Sequence, residues 1–290
     1  MTRLPTKLLF FDLPTQIHLP TSPNTWKVRL VLNFKQLSYT THWTPTSCAT
    51  QTAVDFGIPP SGTHPDGRPH YTLPALIDYT PEIPVKLSDS TRIIDYLERT
   101  YPTPDVPVDD EDAYPYPRSL FPAGSRALHA LVERHILAAI RPPLYDLFTV
   151  ALWRTKLSLD QGSYIERKTR AKGVRTLEEL QINDAAGREV AWGRLREGFR
   201  VLAQIAEIGE TYAHARGEKA APASTIPVFQ SPHVTYADLA LCSLLVMGKL
   251  VSPDEFWPRL KEWDGGRWEQ LHDEVFSRWG YVHEKMEVSL

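Results

Sequence analysis

The stretch Ser22-Pro23-Asn24-Thr25-Trp26-Lys27-Val28-Arg29 follows, across a short loop, the apolar run Leu8-Leu9-Phe10-Phe11. The run predicts a first strand over residues 8–13. A serine followed by proline is the chemistry of a helix start: the serine oxygen accepts an N-terminal N–H, and proline in the first turn has no N–H to leave unpaired. The predicted helix, residues 23–37, carries Trp26, Val28, Leu30, Val31, Leu32, Phe34 and Leu37 almost all round, so it is buried on more than one side. The Ser22 hydroxyl therefore stands at a helix N-terminus, where N–H groups and the helix dipole favour an anion. As a cap it serves folding; as a donor to a ligand thiolate it would lower a thiol pKa from about 8.5. The segment alone leaves both roles open.

Two later segments extend the pattern. Tyr39 to Trp43 alternates like a strand, and Ile58 to Pro69 is a loop punctuated by proline and glycine, with room for a short helix. Tyr71-Thr72-Leu73-Pro74-Ala75-Leu76 leads into a strand over 75–78, and Val85 to Leu87 gives another. Proline at the mouth of a strand belongs at an edge or a turn and admits a cis bond, which would leave the backbone of Leu73 open to an extended peptide. In Leu87-Ser88-Asp89-Ser90-Thr91-Arg92, a helix is predicted over 90–99 with Ile93, Ile94 and Leu97 on one face. Ser90 is an ordinary N-cap there; alternatively Ser90 and Asp89 receive a carboxylate and an amine. The order β-α-β-(α)-β-β-α is thioredoxin-like.

Residues 102–118 are rich in proline and hold the acidic run Asp109-Asp110-Glu111-Asp112, the composition of a solvated linker. Beyond it the pattern is helical: 124–140, a break or kink at Arg141-Pro142-Pro143, then 144–157, 186–208, 235–249, 254–263 and 267–278. Residues 158–178 are more polar, and Gly217 to Ser231 reads as a loop. The expected fold class is α/β plus all-α, with a small α/β domain over 1–101, the linker over 102–118 and an all-helical domain over 119–290.

At 290 residues with 42% hydrophobic content, the chain is long enough for two domains with real cores. A net charge of −3 speaks against nucleic acid and anionic membrane as partners. Cys48 and Cys242 are too few for a disulfide framework or a metal site, and no close pairing of the ten histidines with acids suggests zinc. No segment reads as a signal peptide or a membrane span, so a cytoplasmic protein is expected. There is no Gly-x-Ser-x-Gly elbow and no phosphate-binding glycine loop.

Together, Ser22, Leu73-Pro74 and Asp89-Ser90 resemble the cytosolic glutathione transferase superfamily. His233-Val234-Thr235-Tyr236-Ala237-Asp238-Leu239-Ala240 adds to this, being similar to that family's helical-domain motif, in which Thr235 and Asp238 form a capping box. Within the superfamily, the helix after Ser22 looks most like the fungal etherase-related class. The resemblance implies glutathione as co-substrate and a hydrophobic aromatic small molecule as its partner. It implies Ser22 at the glutathione sulfur, with Asn24 as rival. It further implies Leu73 and Pro74 at the cysteinyl portion and Asp89 and Ser90 at the γ-glutamyl end. Arg68, His64 and His70 are candidates for the glycyl carboxylate. Tyr145 and Phe148, beyond the Pro-Pro pair, are candidates for the hydrophobic site or for simple core packing. A homodimer is carried over from the family. The same fold also admits a non-catalytic, ligandin-like binder of aromatic or polyphenolic molecules. The 40–72 and 158–178 regions depart from the family pattern. Because no cysteine occupies position 22, mixed-disulfide chemistry is not expected.

Overall fold

The computed structural model describes residues 4–102, 119–215 and 234–287. The predicted linker beyond Pro102, the loop Gly217 to Ser231 and His233 of the helical motif lie outside these residues. By packing, the described chain forms two units. The first comprises the residues up to Ser119, Thr155–Tyr164 and those from Trp279 onward; the second comprises Leu120–Arg154 and Ile165–Arg278. The sequence-based division at 101 and 119 runs straight through; packing instead gives the first unit two segments from the later part of the chain.

In the first unit, β1 (Leu4–Asp12) leads through a loop to α1 (Pro23–Phe34) and back to β2 (Leu37–Trp43), parallel to β1. A parallel pair requires such a crossover, and the uniformly apolar helix provides it. Next come α2 (Ala49–Asp55), a small hairpin of β3 (Gly62–Thr63) and β4 (Pro69–His70), then β5 (Ala75–Asp78), β6 (Val85–Ser88) and α3 (Ser90–Thr100). The main sheet runs β2-β1-β5-β6, with β5 antiparallel to both neighbours. Helix α1 is covered along almost its whole length, and it packs against α3 through the face bearing Ile93, Ile94 and Leu97. This is the expected thioredoxin-like arrangement. The sequence pattern gives no helix at 49–55: α2 buries only Ala49 and Ala53, four residues apart, which is too small an apolar signal to stand out.

The second unit is helical. Its elements are α4 (Arg126–His135), a π turn (Ile136–Ile140), α5 (Arg141–Arg154), the part of α6 (Ser158–Lys172) after Tyr164, α7 (Ala185–Ala215), α8 (Tyr236–Val251), α9 (Phe256–Lys261) and α10 (Arg267–Trp279). The polar 158–178 region is thus mostly helix, and Arg141-Pro142-Pro143 does not break the chain's path. Two consecutive prolines remove two N–H donors and crowd the carbonyls one turn earlier, and the widened turn just before them absorbs the mismatch. The continuous run from Arg126 to Arg154 has the length and composition of a membrane span. Its apolar residues Val132, Ile136, Ile140, Leu144 and Leu147 are buried within the unit, which accounts for them as core. At the start of α8, both the N–H and the Oγ1 of Thr235 donate to Asp238 Oδ2 at 2.7 Å, and Asp238 is fully buried. The acid thus answers the helix start from inside the core, the structural role expected of the motif.

Candidate functional site

Sheet register brings the three N-terminal segments together. Phe11 pairs with Ala75, and Ala75 with Ser88, so the end of β1, the start of β5 and the end of β6 form one row. The loop that climbs from β1 to Ser22, the Leu73–Pro74 bond and the Asp89-Ser90 pair all leave the sheet from that row.

Ser22 is the N-cap of α1: its backbone is extended and its Oγ accepts from Thr25 N at 3.4 Å. The hydroxyl hydrogen is not used by that bond, so capping and donation to a ligand are compatible. Asn24, in the first turn, is half-buried like Ser22. The helix is held in place from below. Arg29, fully buried, donates from Nη2 and Nε to Asp12 Oδ2 at 2.8 and 3.3 Å, and from Nη1 to the Tyr39 hydroxyl at 3.2 Å. The rings of Phe10, Tyr39 and Trp43 surround its guanidinium. Asp12 and Tyr39 hold the Arg29 pKa above its ordinary value even though burial opposes the charge.

The Ser22 loop has supports that sequence reading missed. Trp26 Nε1 donates to Pro20 O at 2.6 Å, and Gln16 N to Thr155 O at 3.0 Å. Lys156, buried, donates from Nζ to Thr21 Oγ1 at 3.4 Å. Thr155 and Lys156 lie more than 130 positions from the residues they hold, and no local pattern marks them.

The Leu73–Pro74 bond is cis. The Leu73 side chain packs on a cluster of Phe11, Ala53, Ile58, Ala75 and Ile77, joined by Phe56. The helix missed in the sequence, α2, is therefore part of what seats a predicted site residue.

At α3 the sequence reading needs correction: Asp89, not Ser90, is the N-cap. Asp89 Oδ1 accepts from Thr91 N at 3.0 Å and Arg92 N at 3.2 Å, while Ser90 is the buried first residue of the helix. Asp89 stands at φ +78° and ψ 125°, outside the left-handed helical well that aspartate tolerates, so its backbone is strained. The capping bonds use one carboxylate oxygen, and Oδ2 keeps its acceptor capacity.

Arg68 lies on the β3–β4 hairpin, exposed, with Nη2 at 2.6 Å from Asp66 Oδ2. That pair raises the Arg68 pKa and lowers that of Asp66. His64 and His70 face one another across the same hairpin, ring centroids 4.3 Å apart. Ser61, which donates to His70 O, accepts from Thr72 Oγ1 at 2.8 Å and so ties the hairpin to the approach of β5.

In the second unit the two hydrophobic-site candidates part company. Phe148 packs edge-on against Trp192 and Phe256 and is almost wholly buried, the core-packing alternative of the two readings open for it. Tyr145 lines a cavity of about 640 Å³ together with Leu137, Arg141, Pro142, Lys168 and Leu180 among others. Burial raises the Tyr145 pKa, opposed by Arg141, so the phenol stays protonated near neutrality. Among the described residues no cluster of three or more His, Cys, Asp or Glu side chains is arranged to hold a metal ion.

The family comparison agrees with this geometry. Residues 17–105 match the glutathione S-transferase N-terminal domain, and residues 127–279, more than half the chain, match the glutathione S-transferase C-terminal domain. The chain belongs to the glutathione S-transferase family. Among solved structures, the transferase resembles glutathione transferase GSTFuA3 from Phanerochaete chrysosporium at 26% identity and a TM-score of 0.77, covering 96% of this chain and 99% of that one. It also resembles a Ceriporiopsis subvermispora glutathione S-transferase, CsGST63524, solved in complex with glutathione. There the identity is 27% and the TM-score 0.76, over 95% of this chain and 98% of that one. Ure2p in complex with S-hexylglutathione, at 14% identity and a TM-score of 0.52 over 93% and 94%, shares the fold. No curated protein matches the chain by sequence.

Proposed function

We propose that this transferase binds glutathione at the row formed by the ends of β1 and β6 and the start of β5, and adds its thiolate to hydrophobic aromatic electrophiles. Cleavage of aryl ethers falls within the same chemistry, and the physiological sense is detoxification in the cytoplasm by a homodimer. The observation that supports the reading most is the register row Phe11–Ala75–Ser88, which gathers Ser22, Leu73-Pro74 and Asp89-Ser90 in a chain of this family. The glutathione complex of the Ceriporiopsis relative supports the choice of co-substrate.

In this reading the Ser22 hydroxyl donates to the sulfur while still capping α1, and the helix start adds its dipole, so the thiol ionises at lower pH. The Leu73 backbone, beside Pro74, pairs with the cysteinyl portion. Asp89 accepts from the α-amino group with its free oxygen, and Ser90 meets the γ-glutamyl carboxylate. Arg68 answers the glycyl carboxylate in competition with Asp66, aided by His64 or His70. Tyr145 serves the aromatic co-substrate. Holding both reactants does much of the catalysis, since effective molarities are large.

The test is the pH profile of kcat/KM for conjugation of a dinitrophenyl electrophile. Ser22→Ala is expected to move the limiting ionisation toward that of a free thiol. An unchanged profile in Ser22→Ala, with loss in Asn24→Ala, would transfer the sulfur contact to Asn24. A non-catalytic binder of aromatic molecules predicts negligible conjugation by wild type and aromatic binding that ignores Ser22→Ala.

A further inference from the structure

The loop that delivers Ser22, residues 13–21, is exposed at its tip (16–19) and buried at Thr15, Pro20 and Thr21. One dipeptide grips it on both sides of that tip. Thr155 O accepts from Gln16 N at 3.0 Å, and Lys156 Nζ donates to Thr21 Oγ1 at 3.4 Å. A lysine ammonium can only donate, so the Thr21 hydroxyl accepts there and turns its own hydrogen to Thr155 Oγ1, also 3.4 Å away. The dipeptide is itself fixed, and by packing it belongs to the first unit. A few residues on, the buried Asp160 accepts from Thr46 N at 3.0 Å and from Ser47 N and Ser47 Oγ at 2.8 Å each. The clasp is thereby tied to the segment that follows β2.

Lysine is among the residues least often buried, yet Lys156 is only 7% exposed. Its Nζ also lies 5.9 Å from the Tyr164 ring centroid. Ser22, by contrast, is held loosely by its own cap, since 3.4 Å from Oγ to Thr25 N is long for such a bond. The place of its hydroxyl is therefore set by the backbone that arrives at it, and the preceding residue is the one Lys156 holds. A misplacement of about 1 Å can cost on the order of a hundredfold in rate.

We propose that Lys156 is a positioning residue for the transfer reaction: through Thr21 it fixes the start of α1, so that the Ser22 hydroxyl meets the glutathione sulfur. This rests on the transferase reading and adds to it a residue from outside the three segments that meet at the sheet row.

The experiment follows steady-state conjugation of a dinitrophenyl electrophile and the ultraviolet absorbance of thiolate in bound glutathione at neutral pH. It uses the full chain as wild type, Lys156→Met, Thr21→Val and the double variant, each shown to be folded by urea unfolding. Each single substitution is expected to lower kcat by on the order of ten- to a hundredfold and to reduce the bound thiolate, while KM for glutathione changes far less. The double variant should be no worse than the poorer single, because both remove the same contact. Thr21→Val keeps the lysine charge, so it separates this contact from the other interactions of Lys156. Unchanged kcat and thiolate in either single variant, or losses that multiply in the double, overturns the proposal. Should Lys156→Met not fold, Thr21→Val decides alone, and values within about twofold of wild type overturn it. Wild type that neither binds nor conjugates glutathione refutes the transferase reading and this proposal with it; active wild type with unaffected variants refutes this proposal alone.

Discussion

In the proposed reading Asp89 carries two separable duties, and three substitutions pull them apart. Its Oδ1 caps α3 through two backbone N–H groups, and its charge is assigned to the α-amino group of glutathione. Asp89→Asn keeps a capping oxygen and a side chain of the same shape on the same backbone, so stability should change by no more than about 0.5 kcal/mol. It removes the charge, and the loss of a charged hydrogen bond, about 1.5–3 kcal/mol, corresponds to roughly ten- to hundredfold in Kd. Asp89→Ala keeps the Cβ that aspartate already has and loses the cap, about 1 kcal/mol. Asp89→Gly loses only a few tenths of a kcal/mol at a cap and meets no penalty at this φ. Urea unfolding followed by circular dichroism gives the stability order, and isothermal titration with reduced glutathione gives the affinities. All three variants should bind weakly, while only Asp89→Ala is clearly less stable. Asparagine binding glutathione within twofold of wild type would refute the amine contact; alanine as stable as asparagine would refute the cap.

Three further outcomes follow from buried features. Arg29→Met, which leaves the Asp12 carboxylate buried and unpaired, should cost about 3–5 kcal/mol in denaturant unfolding, and Asp12→Leu combined with Arg29→Met should recover a substantial part of that. Gly248→Ala on α8 would drive a methyl into the Phe256 ring and should lower stability by about 1–3 kcal/mol, with Phe256→Leu in the same chain restoring some of it. Burial holds the His272 pKa below its ordinary value, so between the folded and unfolded pKa the unfolded chain binds more protons. Stability should therefore fall as pH drops below about 6.5, and His272→Phe, which fits beside Trp257 and Phe276, should flatten that slope.

What the sequence made legible was local chemistry. Ser22-Pro23, Leu73-Pro74 and Asp89-Ser90 announce themselves through capping and turn preferences confined to a few residues, and α1 and α8 through dense apolar content. The features it concealed depend on distant partners. Nothing near Ser22 signals that Thr155 and Lys156 hold its loop, and nothing near Leu73 signals the support of α2. Asp89 and Ser90 are both good caps, and a one-position choice between them is settled by backbone φ. Phe148 and Tyr145 lie three residues apart on one helix, and a helix that is apolar on most sides does not reveal which of them faces the core. The Pro-Pro pair reads as a break or kink in the sequence because the widening of the turn before it has no sequence signature.

The edge strand β2 has an unusual guardian. Thr41 N donates to Glu284 at 2.6 Å, Trp43 Nε1 to Lys285 O at 3.1 Å, and Asn33 Nδ2 to the carbonyls of Trp279 and Tyr281. An open strand edge is a template for pairing with another chain. The segment that covers this one is translated about 240 residues after the strand, which at 5–20 residues per second is roughly 10–50 s of synthesis. Once β5 and β6 have joined β1 and β2, the edge of β2 lacks this cover until the later segment emerges, and an uncovered edge can pair with another chain. The timing of elongation therefore belongs among the determinants of how much of this protein reaches its native state.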